Sequence, residues 1–237
     1  MYTVDVDIGG TFTDGFFTDG VEVRTEKVLT TPHDITECFM SCIAAGSQAF
    51  GTPLDAFLRQ TVVARVSTTV GTNLIVQRAG PRLGLIVTKG YERTLYGDGD
   101  APVVGRYVDQ DLIAGVDEGV DDKGRIVDAI DPNGLLAAVR ALVDQGARMI
   151  VISLANGWRN ADNERRAREI IRERYPLHYL RSVPLQIGTE VVHVADDCAR
   201  TNSAILNAYI HSDMARTLYR ADDRLREIGR ASCRERV

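Results

Sequence analysis

The sequence predicts an α/β fold, a mixed sheet that starts with an antiparallel three-strand meander and is flanked by helices. Three observations predict it. Thr3-Val4-Asp5-Val6-Asp7-Ile8 alternates polar and apolar residues with the period of two that marks a strand. Asp19-Gly20 separates two β-forming runs, which is a strong hairpin signal. From Asp131 onward, apolar strand-like runs alternate with helical patterns, as in a largely parallel sheet.

Taken in order, the first three strands form a meander that ends near Leu29, with a glycine loop at its first corner. That loop leads into another strand and not into a helix, which argues against a dinucleotide-binding G-x-G-x-x-G unit. Thr30-Thr31-Pro32-His33-Asp34 breaks the pattern, and a helix follows from Ile35 to Phe50. Its buried stripe is Ile35, Phe39, Ile43 and Ser47, and Gly51-Thr52-Pro53 ends it. Leu54–Arg59 reads as one or two helical turns, and Thr61–Val66 as a strand. Ser67-Thr68-Thr69-Val70-Gly71-Thr72-Asn73 is a hydroxyl-rich junction into a helix from Thr72 to Arg78. It reads either as a helix cap or as a loop facing an anion.

Leu83–Thr88 is an apolar run and a buried strand. The stretch from Gly97 to Asp131 is polar, glycine-rich and acidic, and reads as a solvated insertion with short strands. Asp131-Pro132 supplies an N-cap and a proline at the first helical position. Leu135, Leu136, Val139, Leu142 and Val143 repeat at helical spacing up to Gly146. Met149–Leu154 is a buried strand, Asn160 caps a second helix that stops at Pro176, and Leu177–Pro184 reads as a further strand. A long helix is expected from about Arg200 to Glu227.

The bulk numbers bound the function. A chain of 237 residues with 44% hydrophobic content can build a proper core. With 28 basic and 33 acidic side chains, bulk charge gives no support for nucleic-acid binding. No apolar run is long enough to span a bilayer, and Asp5 and Asp7 stand where a signal peptide would be basic and apolar. The expected location is the cytoplasm. Cys38, Cys42, Cys198 and Cys233 are then expected to be free thiols, with Cys38 and Cys42 buried on one helix face. His193, Asp196, Asp197 and Cys198 are read as helix-start residues, not a metal set.

The candidate chemistry lies in Asp7-Ile8-Gly9-Gly10-Thr11-Phe12-Thr13-Asp14. One reading is a glycine turn between strands. The other is a polyphosphate site, with amide N–H groups and hydroxyls for phosphate oxygens and Asp7 for a magnesium ion.

The octet resembles the first phosphate loop of the actin, hexokinase and chaperone ATPase superfamily. Its Gly-Gly-Thr-Phe-Thr-Asp form is similar to the N-terminal domain of the hydantoinase/oxoprolinase family, which includes ATP-dependent cyclic-amide hydrolases and the acetone and acetophenone carboxylases. Thr72-Asn73-Leu74-Ile75-Val76-Gln77-Arg78, the run from Ser153 to Arg166, and Arg200–Tyr209 resemble further stretches of that family. Val66-Ser67 departs from it, since many members begin this loop with His-Gly.

The resemblance implies an actin/hexokinase-like (ribonuclease H-like) ATPase half that uses ATP and Mg2+. Asp7 would hold the metal. Gly9, Gly10, Thr11 and Thr13 would contact phosphate, with Thr68, Thr69 and Asn73 in a second loop. Asp14 would orient the loop or act as a base. ATP would phosphorylate a carbonyl or enol oxygen of hydantoin, 5-oxoproline or a ketone, beside a partner subunit of the hydantoinase B type. Residues 1–184 would be the N-terminal domain, 185–227 the start of the next domain, and 228–237 a non-native tail. A small-molecule kinase and a non-catalytic ATPase-like interaction module are the alternatives.

Overall fold

The computed structural model describes residues 1–97, 107–176 and 183–229. The expected tail from residue 230 onward and residues 177–182 of the strand expected over Leu177–Pro184 lie outside the described residues. The chain divides into two compact units. One comprises Met1–Gln77 with the chain from Ser212 onward, and the other comprises Arg78–His211.

The first unit is built on strands β1 (Tyr2–Ile8), β2 (Phe12–Thr18), β3 (Val23–Leu29) and β4 (Thr61–Thr68), in the order β3-β2-β1-β4. The meander is antiparallel, and β4 joins β1 in parallel. Asp19 makes the hairpin turn through its own carboxylate, which accepts from the N–H groups of Val21 and Glu22. Alternation then sorts the side chains. Val4, Val6, Ile8, Thr13, Phe17 and Ala64 are buried on one face. They pack on Phe39, Cys42 and Ile43 of helix α1 (Ile35–Ala49) and on Phe57 and Leu58 of α2 (Leu54–Gln60). Asp34 starts α1 by accepting from Thr36 N at 2.9 Å. Cys38 and Cys42 are buried free thiols on this helix, as expected. Burial pushes the Cys42 thiol up to about 12, so it is chemically quiet. A short helix α3 (Val70–Gln77) follows β4 and begins two residues earlier than the sequence predicts.

The second unit holds an all-parallel sheet. Its strands are β5 (Leu83–Thr88), β6 (Ile113–Val116), β9 (Met149–Ile152) and β10 (Leu185–Ile187), in the order β10-β9-β5-β6. A two-stranded ribbon, β7 (Gly119–Val120) with β8 (Ile126–Asp128), stands apart from it. Helices α4 (Pro132–Asp144) and α5 (Asp162–Arg174) cross over between strands. Asp131 caps α4 by accepting from Asn133 and Gly134, and Asn160 accepts from Asp162 N at the start of α5. A single turn, α6 (Gly188–Val191), precedes the long α7 (Asp197–Gly229).

One expectation needs correction here. The acidic stretch after Gly97 is not wholly a solvated insertion: Leu112 and Val116 are buried, and β6 is a strand of the parallel sheet. Hydrophobic burial of these two side chains outweighs the polar character of their neighbours.

Candidate functional site

The open face of the first sheet carries the polar half of each alternating strand. Pairing brings four of these residues into one row, because Lys27 lies opposite Asp14, Asp14 opposite Asp7, and Asp7 opposite Ser67. Lys27 forms an ion pair with Asp14, and the Ser67 hydroxyl donates to Asp7 Oδ1. A second row runs Thr25, Phe16, Asp5, Arg65, in which Arg65 Nη2 donates to Asp5 at 2.9 Å. The two rows line a shallow cleft of about 610 Å³.

At the end of this cleft β1 gives way to the loop Gly9-Gly10-Thr11. Gly9 N donates to Phe12 O at 3.0 Å, which closes the turn. A Cβ on Gly9 would lie 2.9 Å from that carbonyl oxygen, whereas one on Gly10 would meet nothing within 4 Å. The backbone at Gly10 is therefore open to a ligand. Thr30 braces the loop from behind. Its N–H donates to Thr11 O at 3.0 Å and its hydroxyl to Gly9 O at 2.9 Å. Because β1 and β4 are parallel, Thr68 lies beside Ile8, and the β4–α3 junction sits at the same sheet edge as the glycine loop. Ligands of parallel α/β sheets gather at this carboxyl edge.

The structure brings Asp7, Gly9, Gly10, Thr11 and Asp14 together at this edge, with Thr68, Thr69 and Asn73 alongside. Thr69 N reaches Ile8 O at 3.4 Å, and Thr68 Oγ1 accepts from Val70 N at 3.2 Å. Thr13 departs from its expected place. It points to the core, fully buried, and its hydroxyl is 3.0 Å from that of Thr30. Its geometry suits bracing of the loop and not contact with phosphate. Asp14 is engaged by Lys27. Lys27 and Arg65 are the members of the site that the sequence reading misses, and Ser67 is read there only as part of the hydroxyl-rich junction and not as a partner of Asp7. Lys27 could be found by counting outward from the Asp19-Gly20 turn, but the contact of Ser67 with Asp7 could not, because it spans 60 residues of chain.

In the second unit, the family-like run from Ser153 to Arg166 is tied into the interior. Glu164 takes a hydrogen bond from Leu154 N at 2.9 Å and pairs with Arg200. Asn163 Nδ2 donates to Glu118 at 2.8 Å. The Thr88 hydroxyl donates to Glu118 and accepts from Ala155 N at 2.8 Å. The Tyr96 hydroxyl accepts from Thr88 N and donates to Ser153 O, linking the ends of β5 and β9. Asp197 pairs with Arg200, and Asp196 accepts from Ala199 N at 2.8 Å, so both serve the start of α7. Lys89, at the end of β5, pairs with Asp117 at 2.9 Å.

An open glycine loop at the carboxyl edge of a mixed sheet, beside an exposed aspartate, defines an ATPase-like α/β half-fold. The chain belongs to the hydantoinase/oxoprolinase family, since the family's N-terminal region matches residues 3–175. It is 35% identical to the acetophenone carboxylase gamma subunit of Aromatoleum aromaticum over 96% of this chain and 33% of that protein. It is 26% identical to the caprolactamase subunit alpha of Pseudomonas jessenii over 97% of this chain and 34% of that protein. A nucleotide-free structure from a study of ATP-dependent acetone carboxylation superposes with a TM-score of 0.86 at 28% identity, over 96% of this chain and 34% of that one. The chain thus spans about a third of the length of the curated relatives it matches.

Proposed function

We propose that the chain provides one side of an ATP site in a subunit that phosphorylates a carbonyl or enol oxygen, driving cyclic-amide hydrolysis or ketone carboxylation. The observation that carries this reading is the exposed Asp7 carboxylate beside the open Gly10 backbone, in a chain whose family match covers both. Among the described residues no group of three or more His, Cys, Asp or Glu side chains could cage a metal. One exposed carboxylate fits an ion that keeps most of its waters and takes phosphate oxygens as further ligands, as Mg2+ does. Such an ion, when bound, would neutralise charge on the transferring phosphoryl group.

The residues of this chain then have distinct tasks. Asp7 holds the hydrated ion. The N–H groups of the Gly9–Thr11 loop, the Thr11 hydroxyl and the Thr68–Thr69 junction, with Asn73 behind it, hold phosphate oxygens. Thr13 and Thr30 keep the loop in shape. In the transfer, the bond from the γ-phosphorus to the ADP oxygen breaks as a bond to the substrate oxygen forms. In a lactam or imide the adjacent carbon then accepts water. In a ketone the enol oxygen is the one phosphorylated. The 35% identity to an acetophenone carboxylase subunit favours the ketone chemistry, and a partner subunit of the hydantoinase B type would complete the enzyme.

The test is ATP turnover by the subunit with its partner, with acetophenone plus bicarbonate, 5-oxoproline or hydantoin as substrate. Ketone-dependent ADP release is expected. Stable partner binding without turnover on any of the three would leave an interaction module instead. Asp7→Ala should abolish MgATP binding, and unchanged binding would remove Asp7 from the site.

A further inference from the structure

We infer that Ser67 is a positioning residue for Asp7, fixing the carboxylate so that one oxygen is presented to a divalent cation at the phosphate loop. This rests on the ATP-site reading above. Asp7 and Ser67 face each other in the parallel β1–β4 pair, and the Ser67 hydroxyl donates to Asp7 Oδ1. That bond occupies one oxygen and sets the plane of the carboxylate. The other oxygen has no protein partner among the described residues, and the side chain lies on the open sheet face.

The charges in the row point the same way. Of its two carboxylates, Asp14 is neutralised by Lys27, whose ammonium also lies 5.0 Å from the centre of the Phe12 ring. Asp5, one step back along β1, is neutralised by Arg65. Among the described residues Asp7 is thus the carboxylate of this face with no cationic partner, and a neutral hydroxyl orients it without cancelling its charge. A cation in that position would have cancelled it. A hydrogen-bond donor behind a metal-holding carboxylate raises affinity by orientation and is costly to remove.

The test uses the paramagnetic manganese–ATP complex titrated into the isotopically labelled 237-residue chain, read as line broadening of the amide signals of Gly9, Gly10 and Thr11. Broadening is expected in the wild-type chain and its loss in Asp7→Asn. Ser67→Ala should need about tenfold more manganese–ATP for the same broadening. Ser67→Thr, which keeps the hydroxyl on a strand-favouring side chain, should restore the wild-type titration. Ser67→Ala titrating like wild type, or Ser67→Thr failing like Ser67→Ala, would overturn the positioning role while leaving the Asp7 site in place. Broadening that is absent in the wild-type chain, or that survives Asp7→Asn, would remove the site and the role of Ser67 with it.

Discussion

Arg200 and Glu164 form an ion pair inside the second unit, with Nη1 2.5 Å from Oε1 and side chains 0% and 1% exposed. Each is also held by the backbone of the β9 end, because Arg200 donates to Leu154 O and Glu164 accepts from Leu154 N. Glu164 further receives the Thr189 hydroxyl at 2.6 Å. The pair thus joins β9, α5, α6 and α7.

Removing Arg200 leaves Glu164 as an uncompensated buried charge, and removing Glu164 leaves Arg200 with Asp197 as its one remaining carboxylate among the described residues. Glu164→Gln or Arg200→Met should each destabilise the second unit by about 3–5 kcal/mol. In a urea-unfolding cycle the double variant should cost less than the sum of the two. Strict additivity would mean that the pair is not coupled.

Glu118 predicts a pH dependence. Burial raises its carboxyl above the ordinary 4.5, against the pull of hydrogen bonds from Thr88 and Asn163. The folded chain therefore keeps this proton to higher pH than the unfolded chain does. The stability it contributes is complete below 4.5 and is lost as pH rises through the folded value. Asp19, Asp34, Asp55 and Asp121 are held below 3.8 by hydrogen bonds, so their contributions vanish only on the acid side. Unfolding midpoints measured from mildly acidic to neutral pH should fall in the wild type and stay level in Glu118→Gln.

The two loop glycines should separate folding from binding. Gly10→Ala places its Cβ in open space and should leave the melting temperature unchanged while weakening MgATP binding. Gly9→Ala drives a Cβ against the Phe12 carbonyl and should cost about 1–3 kcal/mol of stability. Full nucleotide affinity in Gly10→Ala would mean that no ligand approaches the loop backbone there.

Gly46 tests the core of the first unit. A Cβ there would come within 2.5 Å of the Phe17 ring, which is itself fully buried. Gly46→Ala should destabilise by about 1–3 kcal/mol, and adding Phe17→Leu should recover part of the loss by vacating that space. Thermal melts of the single and double variants check this.

Much of the fold is legible in the sequence because its signals are local. The Asp19-Gly20 hairpin, the Asp131-Pro132 start of α4 and the apolar run of β5 each act within a few residues. What is not legible depends on pairing at a distance. The Asp7–Ser67 contact needs the parallel register of β1 on β4, which no short stretch encodes. Thr13 reads as a loop hydroxyl because β2 has a phenylalanine on each face, Phe16 outside and Phe17 inside, so its alternation is hidden. Glu118 looks solvated amid acidic neighbours, yet it is buried where β6 ends, beside Thr88 and Asn163.

Trp158 is the chain's one tryptophan and belongs to the second unit, where the Arg159 guanidinium lies 4.0 Å from its ring centre. The first unit instead holds a cluster of Tyr2, Phe17, Phe50 and Phe57. Indole emission therefore reports the second unit alone, while tyrosine emission and far-ultraviolet dichroism sense both. A denaturation curve followed by indole light and one followed by dichroism would coincide only if the two units come apart together.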